Sequence, residues 1–278
     1  ISFVRNKESD RKIIINEIDY VNDCFEIFNQ EDESINLDGW KVTDQNNNVY
    51  TIEGRVLKKR REFYSQFIKE GDLCFDIGAN VGNRTDIFVL LGANVVSVEP
   101  QATCVEQLRA RYKGNPKVVL VDKGVGEKHG KKIMHLSNFS EVSTFSSEFI
   151  NAYLNQPGIK WDRDVEVSII TMEDLIKEHG VPQFSKIDVE GYELNVLLGL
   201  KQPLPALSIE YNARLSQLAF SCVNHIDKMA NYEFQFSSFD TMKFYFSEWQ
   251  SSSKIIELLN KLPKDILTGD IYVRKIKC

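Results

Sequence analysis

The stretch Phe75-Asp76-Ile77-Gly78-Ala79-Asn80-Val81-Gly82-Asn83-Arg84-Thr85 carries the densest chemical signal in the sequence. An apolar run feeds a turn with glycine, asparagine and glycine at alternate positions, and a helix-forming run starts near Thr85. Gly78 permits a tight turn, Asn80 tolerates positive φ better than most residues with a side chain, and Gly82 lets backbone approach a ligand at the helix N-terminus. Glu99 ends the next apolar run, 21 residues beyond Gly78, where an acid can take both hydroxyls of a ribose. Dinucleotide sites space their glycines G-x-G-x-x-G around a pyrophosphate; here the spacing is two and two, and Asp76 would repel phosphate. A carboxylate at that point suits an ammonium group, so the methionine part of S-adenosylmethionine fits better. The competing reading is a structural strand-turn-helix with no ligand; the turn alone already favours a site, and Glu99 strengthens that.

A second constellation is Lys186-Ile187-Asp188-Val189-Glu190-Gly191-Tyr192-Glu193. A short apolar strand delivers Asp188 to the carboxyl edge of a sheet, where ligands of open α/β folds bind. Asp188 and Glu190 can act as a base toward a substrate hydroxyl, or hold a cation that acidifies it. The competing reading is helix capping and charge compensation at a helix N-terminus, which accounts for part of Glu190 and Glu193. Glu210, with Asn212 close behind, is a weaker third candidate. No histidine or cysteine pair has metal-ligand spacing, and no metal is assigned.

The elements that must position these residues alternate short apolar runs with amphipathic ones from residue 71 onward, which is an α/β pattern. Strands are expected at Leu73 to Ile77, Val95 to Val98, Val118 to Val121, Ser185 to Asp188, Leu207 to Tyr211, Tyr232 to Ser237 and Asp270 to Ile276, the last two pairing antiparallel at a sheet edge. Helices are expected at Cys104 to Tyr112, capped by a Thr103/Glu106 box, at Met172 to His179 with Thr171 and Asp174 at its start, after Gly191, and at Lys254 to Leu262. Between Gly124 and Ile170 the alternation breaks. A strand is expected at Lys132 to Leu136 and another at Val165 to Ile169. The loop between them, Ser137 to Trp161, holds Ser143-Thr144 among aromatic residues, which suits either a sugar-binding surface or a loop packed on its own body. Lys58 to Arg61 reads as the solvated face of a helix rather than a nucleic-acid patch.

The chain has 278 residues, 42% of them hydrophobic and 27% charged, as expected of a globular protein with a substantial core. No run reaches the length of a membrane helix, and the N-terminus lacks the apolar region of a signal peptide. Of the net charge of −6, residues 1–54 carry −7, from five basic and twelve acidic side chains, which leaves +1 on the remainder. Neither part has the basic excess of a nucleic-acid binder. Five cysteines, all well separated, fit a reducing, cytoplasmic compartment, with Cys74 as a core residue.

Phe75-Asp76-Ile-Gly78-Ala-Asn80-Val-Gly82, Val96-Ser-Val-Glu99-Pro100, Val121-Asp122-Lys-Gly-Val-Gly, Ser143-Thr144 and Lys186-Ile-Asp188-Val-Glu190-Gly191, in this order, resemble the FkbM-type methyltransferases over about residues 60 to 278. The resemblance implies a Rossmann-like seven-stranded sheet with one reversed strand. It also implies S-adenosylmethionine as cofactor and methyl transfer to a hydroxyl of a sugar, glycan or natural product. By the same analogy Asp76, Gly78, Asn80 and Gly82 contact the methionine part, Glu99 the ribose and Asp122 the adenine. Asp188 and Glu190 remain the catalytic candidates on chemical grounds alone. The segment 1–54, with Glu17-Ile-Asp-Tyr, Phe25-Glu-Ile-Phe-Asn29, Ile35-Asn-Leu-Asp-Gly-Trp40, Val42-Thr-Asp44 and Val49-Tyr-Thr-Ile, resembles the front half of a lamin-tail β-sandwich. It is expected as a β-rich half-sandwich with unpaired edges that packs on the enzyme, pairs with a protein partner or is a truncation product, with the methyltransferase domain at 55–278. The alternatives are a binding or scaffold protein on a methyltransferase fold and a nicotinamide oxidoreductase, the latter disfavoured by the glycine spacing.

Overall fold

The computed structural model describes residues 55–262 and 267–276 and, before them, five strands. Contacts divide the chain into two compact units, Ile1–Glu62 and Phe63–Cys278. In the first unit, β1 (Ser2–Val4), β4 (Lys41–Thr43) and β5 (Val49–Thr51) form an antiparallel sheet in the order β1-β4-β5, and β2 (Ile13–Asp19) pairs antiparallel with β3 (Cys24–Asn29). Ile35 to Trp40 and Asp44, which carry part of the lamin-tail resemblance, lie outside the described residues. Helix α1 (Arg55–Tyr64) contains the unit boundary.

The second unit runs β6 (Leu73–Ile77), α2 (Asn83–Leu90), β7 (Asn94–Val98), α3 (Ala102–Arg111), β8 (Val118–Val121), β9 (Gly124–Val125), β10 (Gly130–Ser137), α4 (Ser147–Tyr153), β11 (Trp161–Ile170), α5 (Met172–His179), β12 (Phe184–Ile187), α6 (Glu193–Leu198), β13 (Ala206–Asn212), α7 (Ser216–Asp227), β14 (Tyr232–Ser238), α8 (Ser252–Lys261) and β15 (Thr268–Lys275). Seven strands form one sheet in the order β14-β15-β13-β12-β6-β7-β8. Neighbours from β13 to β8 are parallel, and only β15 is reversed, inserted between β13 and β14. The strand order turns back between β6 and β12, and ligands of open α/β sheets sit at such a reversal, beyond the carboxyl ends of the strands.

The register explains why these strands carry polar letters. One row across the sheet, Val98, Ile77, Ile187, Ile209, Ile271 and Phe236, is wholly apolar and faces the main core. Each buried aliphatic side chain there stabilises the fold by about 1.5–3 kcal/mol. One residue back along each strand, on the opposite face, the row reads Ser97, Asp76, Lys186, Ser208, Tyr272 and Gln235, and every member is buried. Parallel strands covered on both faces are normally apolar throughout. A polar row across six strands of this sheet therefore marks the face that serves the site.

Two local expectations need correction. The Thr103/Glu106 box is not formed: α3 starts two residues earlier, with Gln101 at its N-cap and no side-chain cap bond. By contrast, the Thr171/Asp174 box closes in both directions. The segment Ser137 to Trp161 is not one loop, since it contains α4, capped by the Ser146 hydroxyl, which accepts from the Phe149 N–H. Ser143, Thr144, Phe145 and Phe149 are buried, so this segment packs on its own body. It completes an outlying layer in which β10, β11 and β9 form a small sheet.

Candidate active site

The glycine turn closes on the ends of two neighbouring strands. Gly78 (φ 84°), Asn80 (φ 48°) and Gly82 (φ 92°) all adopt the left-handed conformation. A Cβ at Gly78 would lie 1.8 Å from the backbone oxygen of Asp188, so this glycine lets β6 and β12 converge. Gly78→Ala is expected to destabilise the protein by roughly 2–5 kcal/mol, combining the left-handed backbone penalty with forced overlap; urea unfolding measures it. At Gly82 the space belongs to Tyr112, whose hydroxyl would be 2.6 Å from an added Cβ and donates to the Gly82 carbonyl at 3.1 Å.

Four of the turn's N–H groups are taken. Gly78 and Ala79 donate to the Val98 carbonyl at 2.9 and 3.0 Å, and Gly82 donates to that of Ala79 at 2.8 Å. Asn80 donates to Glu99 Oε2 at 2.9 Å, and Gln101 donates to Glu99 Oε1 at 2.8 Å. These donors are thus not aimed outward as a pyrophosphate cradle. Glu99 is 3% exposed, and burial pushes its carboxyl up to about 6 against the pull of those backbone N–H groups. Asp76 is buried too and accepts from the Thr85 hydroxyl at 2.6 Å. Burial raises its carboxyl above the usual range, the Thr85 bond only partly offsetting this. Asp122 stands apart, its side chain 60% exposed and paired with Arg109 at 2.8 Å.

Across the strand-order reversal, Asp188 follows β12 and its N–H donates to the Ile77 carbonyl at 2.9 Å, which ties the acid turn to the glycine turn. Lys186, 1% exposed, donates to Asp188 Oδ2 at 2.9 Å and to Asp270 Oδ1 at 2.7 Å. The sequence reading missed Lys186 and Asp270; the available signal was a lysine inside an apolar strand. Asp188's side chain is 36% exposed. Burial works to raise its carboxyl, and the Lys186 ammonium more than offsets this, holding it below the usual carboxylate range.

The other acids are in the opposite state. Glu190, itself left-handed at φ 52°, and Glu210 are held well above the usual range by burial and then by the negative charges around them. Glu193 accepts from the N–H groups of Val189 and Gly191 at 3.1 and 3.2 Å, and burial pushes it up to about 7. Asp188, Glu190 and Glu210 each bring an oxygen within 4.8 Å of the others, close enough to share a proton or a cation. A raised carboxyl contributes stability that is full below its unfolded value, near 4.3, and lost as pH rises through its folded value. The melting temperature is therefore expected to fall between pH 5 and pH 8. Glu210→Gln should flatten that slope and raise the value at pH 8 by roughly 2–4 °C per kcal/mol of relieved repulsion, read by calorimetry.

This arrangement has a clear preference among cofactors. Carboxylates line both turns, and four N–H groups of the glycine turn are occupied within the protein, which suits a cationic adenosyl sulfonium and disfavours a pyrophosphate. A model of the methyltransferase FkbM domain matches residues 76–236. The chain belongs to the FkbM methyltransferase family. As a member it is an S-adenosylmethionine-dependent methyltransferase, and the glycine turn and the acid turn lie within the matched residues. A lamin tail domain model matches residues 6–129. The later part of that match runs through β6, β7 and β8 of the parallel sheet. Comparison with curated proteins finds no match. Among solved structures the FkbM chain is similar to an rRNA methylase from Streptococcus thermophilus, at 9% identity over 82% of this chain and 100% of that one, with a TM-score of 0.41. It is also similar to precorrin-6y C5,15-methyltransferase from Geobacter metallireducens GS-15, at 10% identity over 87% and 100%, with a TM-score of 0.42. Among the described residues no helix is long and apolar enough to cross a membrane.

Proposed function

We propose that this FkbM methyltransferase methylates a hydroxyl oxygen of a sugar, glycan or polyhydroxylated natural product, with Asp188 as the group that receives the hydroxyl proton. The observation that carries the reading is the split between neighbouring carboxyls. Asp188 pairs with buried Lys186 at 2.9 Å, which holds its carboxyl below the usual range, while burial and neighbouring negative charge hold those of Glu190 and Glu210, each with an oxygen within 4.8 Å, well above theirs. A carboxyl that favours its charged form beside two that favour their neutral form can offer a polyol a hydrogen-bond acceptor and donors at one point. The same excess of acids disfavours phosphorylated or carboxylated acceptors.

S-adenosylmethionine, when bound, supplies a methyl group already activated by its sulfonium. The chain's task is then to orient the acceptor oxygen in line and to remove its proton. Asp76, Gly78, Asn80 and Gly82 shape the pocket for the methionine part, and Glu99 takes the ribose hydroxyls. Asp122 meets the adenine on release from Arg109. The buried, unpaired Cys74, Cys104 and Cys222 support a reducing, cytoplasmic setting. Residues 1–54, a β-rich segment with open sheet edges, are the part offered to a protein partner, and 55–278 are the catalytic domain. Incubating the protein with a deuterated-methyl donor and a fractionated lysate, then reading glycans and small metabolites by mass spectrometry, tests the reading. Label in a methyl ether supports it; label only in nucleic acid or on nitrogen rejects it.

A further inference from the structure

The segment Ser137–Ser146 touches both halves of the crevice; Asn138 is tied to Gly158 and Lys160, the Val142 carbonyl accepts from the Trp161 indole, and the attachments to the two turns differ in kind. At one end Thr144 is wholly buried. Its backbone pairs in both directions with His135 on β10, at 2.8 and 3.0 Å. The Thr144 hydroxyl donates to the Glu190 carbonyl at 2.6 Å and accepts the Ser146 N–H at 2.8 Å. This end is built into the outlying layer and clasps the acid turn at its left-handed residue. At the other end the Ser140 hydroxyl accepts from Asn80 Nδ2 at 3.2 Å, and the Ser140 carbonyl accepts from Gln101 Nε2 at 3.0 Å. Both partners also donate through their backbone to Glu99. With Glu99 only 3% exposed, a ribose reaches its carboxylate only after the side chains above it move.

We propose that Ser137–Ser146 is a hinged strap over the nucleoside site, fixed at Thr144 and latched at Ser140 through Asn80 and Gln101, and that the latch must open for the adenosyl group to reach Glu99. The latch consists of two hydrogen bonds on a short turn, Ser140–Val142, each of the ordinary neutral kind. The fixed end holds a buried threonine in a strand pair. Motion is therefore confined to the Ser140 side, and the acid turn keeps its geometry while the cofactor binds. The inference rests on the assignment of Glu99 to the ribose.

Cys104, buried in α3, lies near the Ser140 side chain, which provides a direct test. Ser140→Cys places a second thiol against it, and diamide treatment should join the two and lock the latch. S-adenosylhomocysteine binding, followed by calorimetry on the full chain, is expected to fall at least 10-fold in the oxidised protein and to return on reduction. Gln101→Ala, which removes one latch bond, should speed association of S-adenosylhomocysteine several-fold in stopped flow. Failure of the disulfide to form, or a locked protein that binds as well as the reduced one, would overturn the strap. An intact wild type that binds no S-adenosylhomocysteine would instead overturn the cofactor site, and the strap's role with it.

Discussion

Replacing Lys186 with alanine is expected to destabilise the protein by about 3–5 kcal/mol, the range for breaking a buried ion pair by removing one partner. Lys186 sits in the middle of the polar row, 1% exposed, with its ammonium 2.9 Å from Asp188 and 2.7 Å from Asp270. Burial works against its charge, and the carboxylates of Asp188 and Asp270 more than offset that, so it stays protonated. Without it, Asp270 is left buried beside Tyr272, its remaining donor at 3.3 Å, and Asp188 loses the charge that keeps it ionised. Two variants separate charge from volume. Lys186→Met keeps most of the stem and should be nearly as damaging as alanine, while adding Asp270→Asn to it should recover part of the loss. The sign of the pH effect follows from Asp188, whose depressed carboxyl contributes stability above its unfolded value, near 3.9, and loses it as pH falls through the folded one. Urea unfolding at pH 7 and pH 3 reads both effects, and the gap between wild type and Lys186→Met should narrow in acid.

Glu99→Ala should weaken S-adenosylhomocysteine by about 100-fold, equivalent to about 2.7 kcal/mol, as expected when charge-assisted bonds to a pair of ribose hydroxyls are lost. Glu99 also accepts the Asn80 and Gln101 N–H groups, so part of the loss comes from a loosened turn. Glu99→Gln retains an acceptor for that turn and should lie between wild type and alanine. Because burial pushes the Glu99 carboxyl up to about 6, affinity should rise with pH from 5 to 7 as the carboxylate forms. That rise should vanish in Glu99→Gln, and calorimetry across the pH series shows whether it does.

The strands that end at the crevice were legible because each is a short apolar run closed by a glycine or an acid, as at Ile77, Val98 and Ile187. The glycine turn and Glu99 were legible for the same local reason. What could not be read locally was pairing across distance. Asp270 meets Lys186 only because β15 inserts beside β13, and nothing near residue 270 states that order. The role of Gly82 was likewise hidden, since the atom filling its space is the Tyr112 hydroxyl, from another helix. Helix α4 was missed because Ser-Glu-Phe-Ile-Asn-Ala-Tyr is short and lies in a polar, aromatic stretch. Its start is set by the Ser146 cap and its stability by Phe149, buried in the layer beneath.

Asp188 carries the central claim, and its substitution gives the most direct measurement. Asp188→Asn keeps the shape of the turn and removes the proton acceptor, so it should bind S-adenosylhomocysteine within a few-fold of wild type. In the deuterated-methyl assay it should slow labelling of the acceptor hydroxyl by about 100-fold or more, the scale of a lost general base. Transfer by Asp188→Asn at the wild-type rate, with S-adenosylhomocysteine affinity intact, would contradict the account.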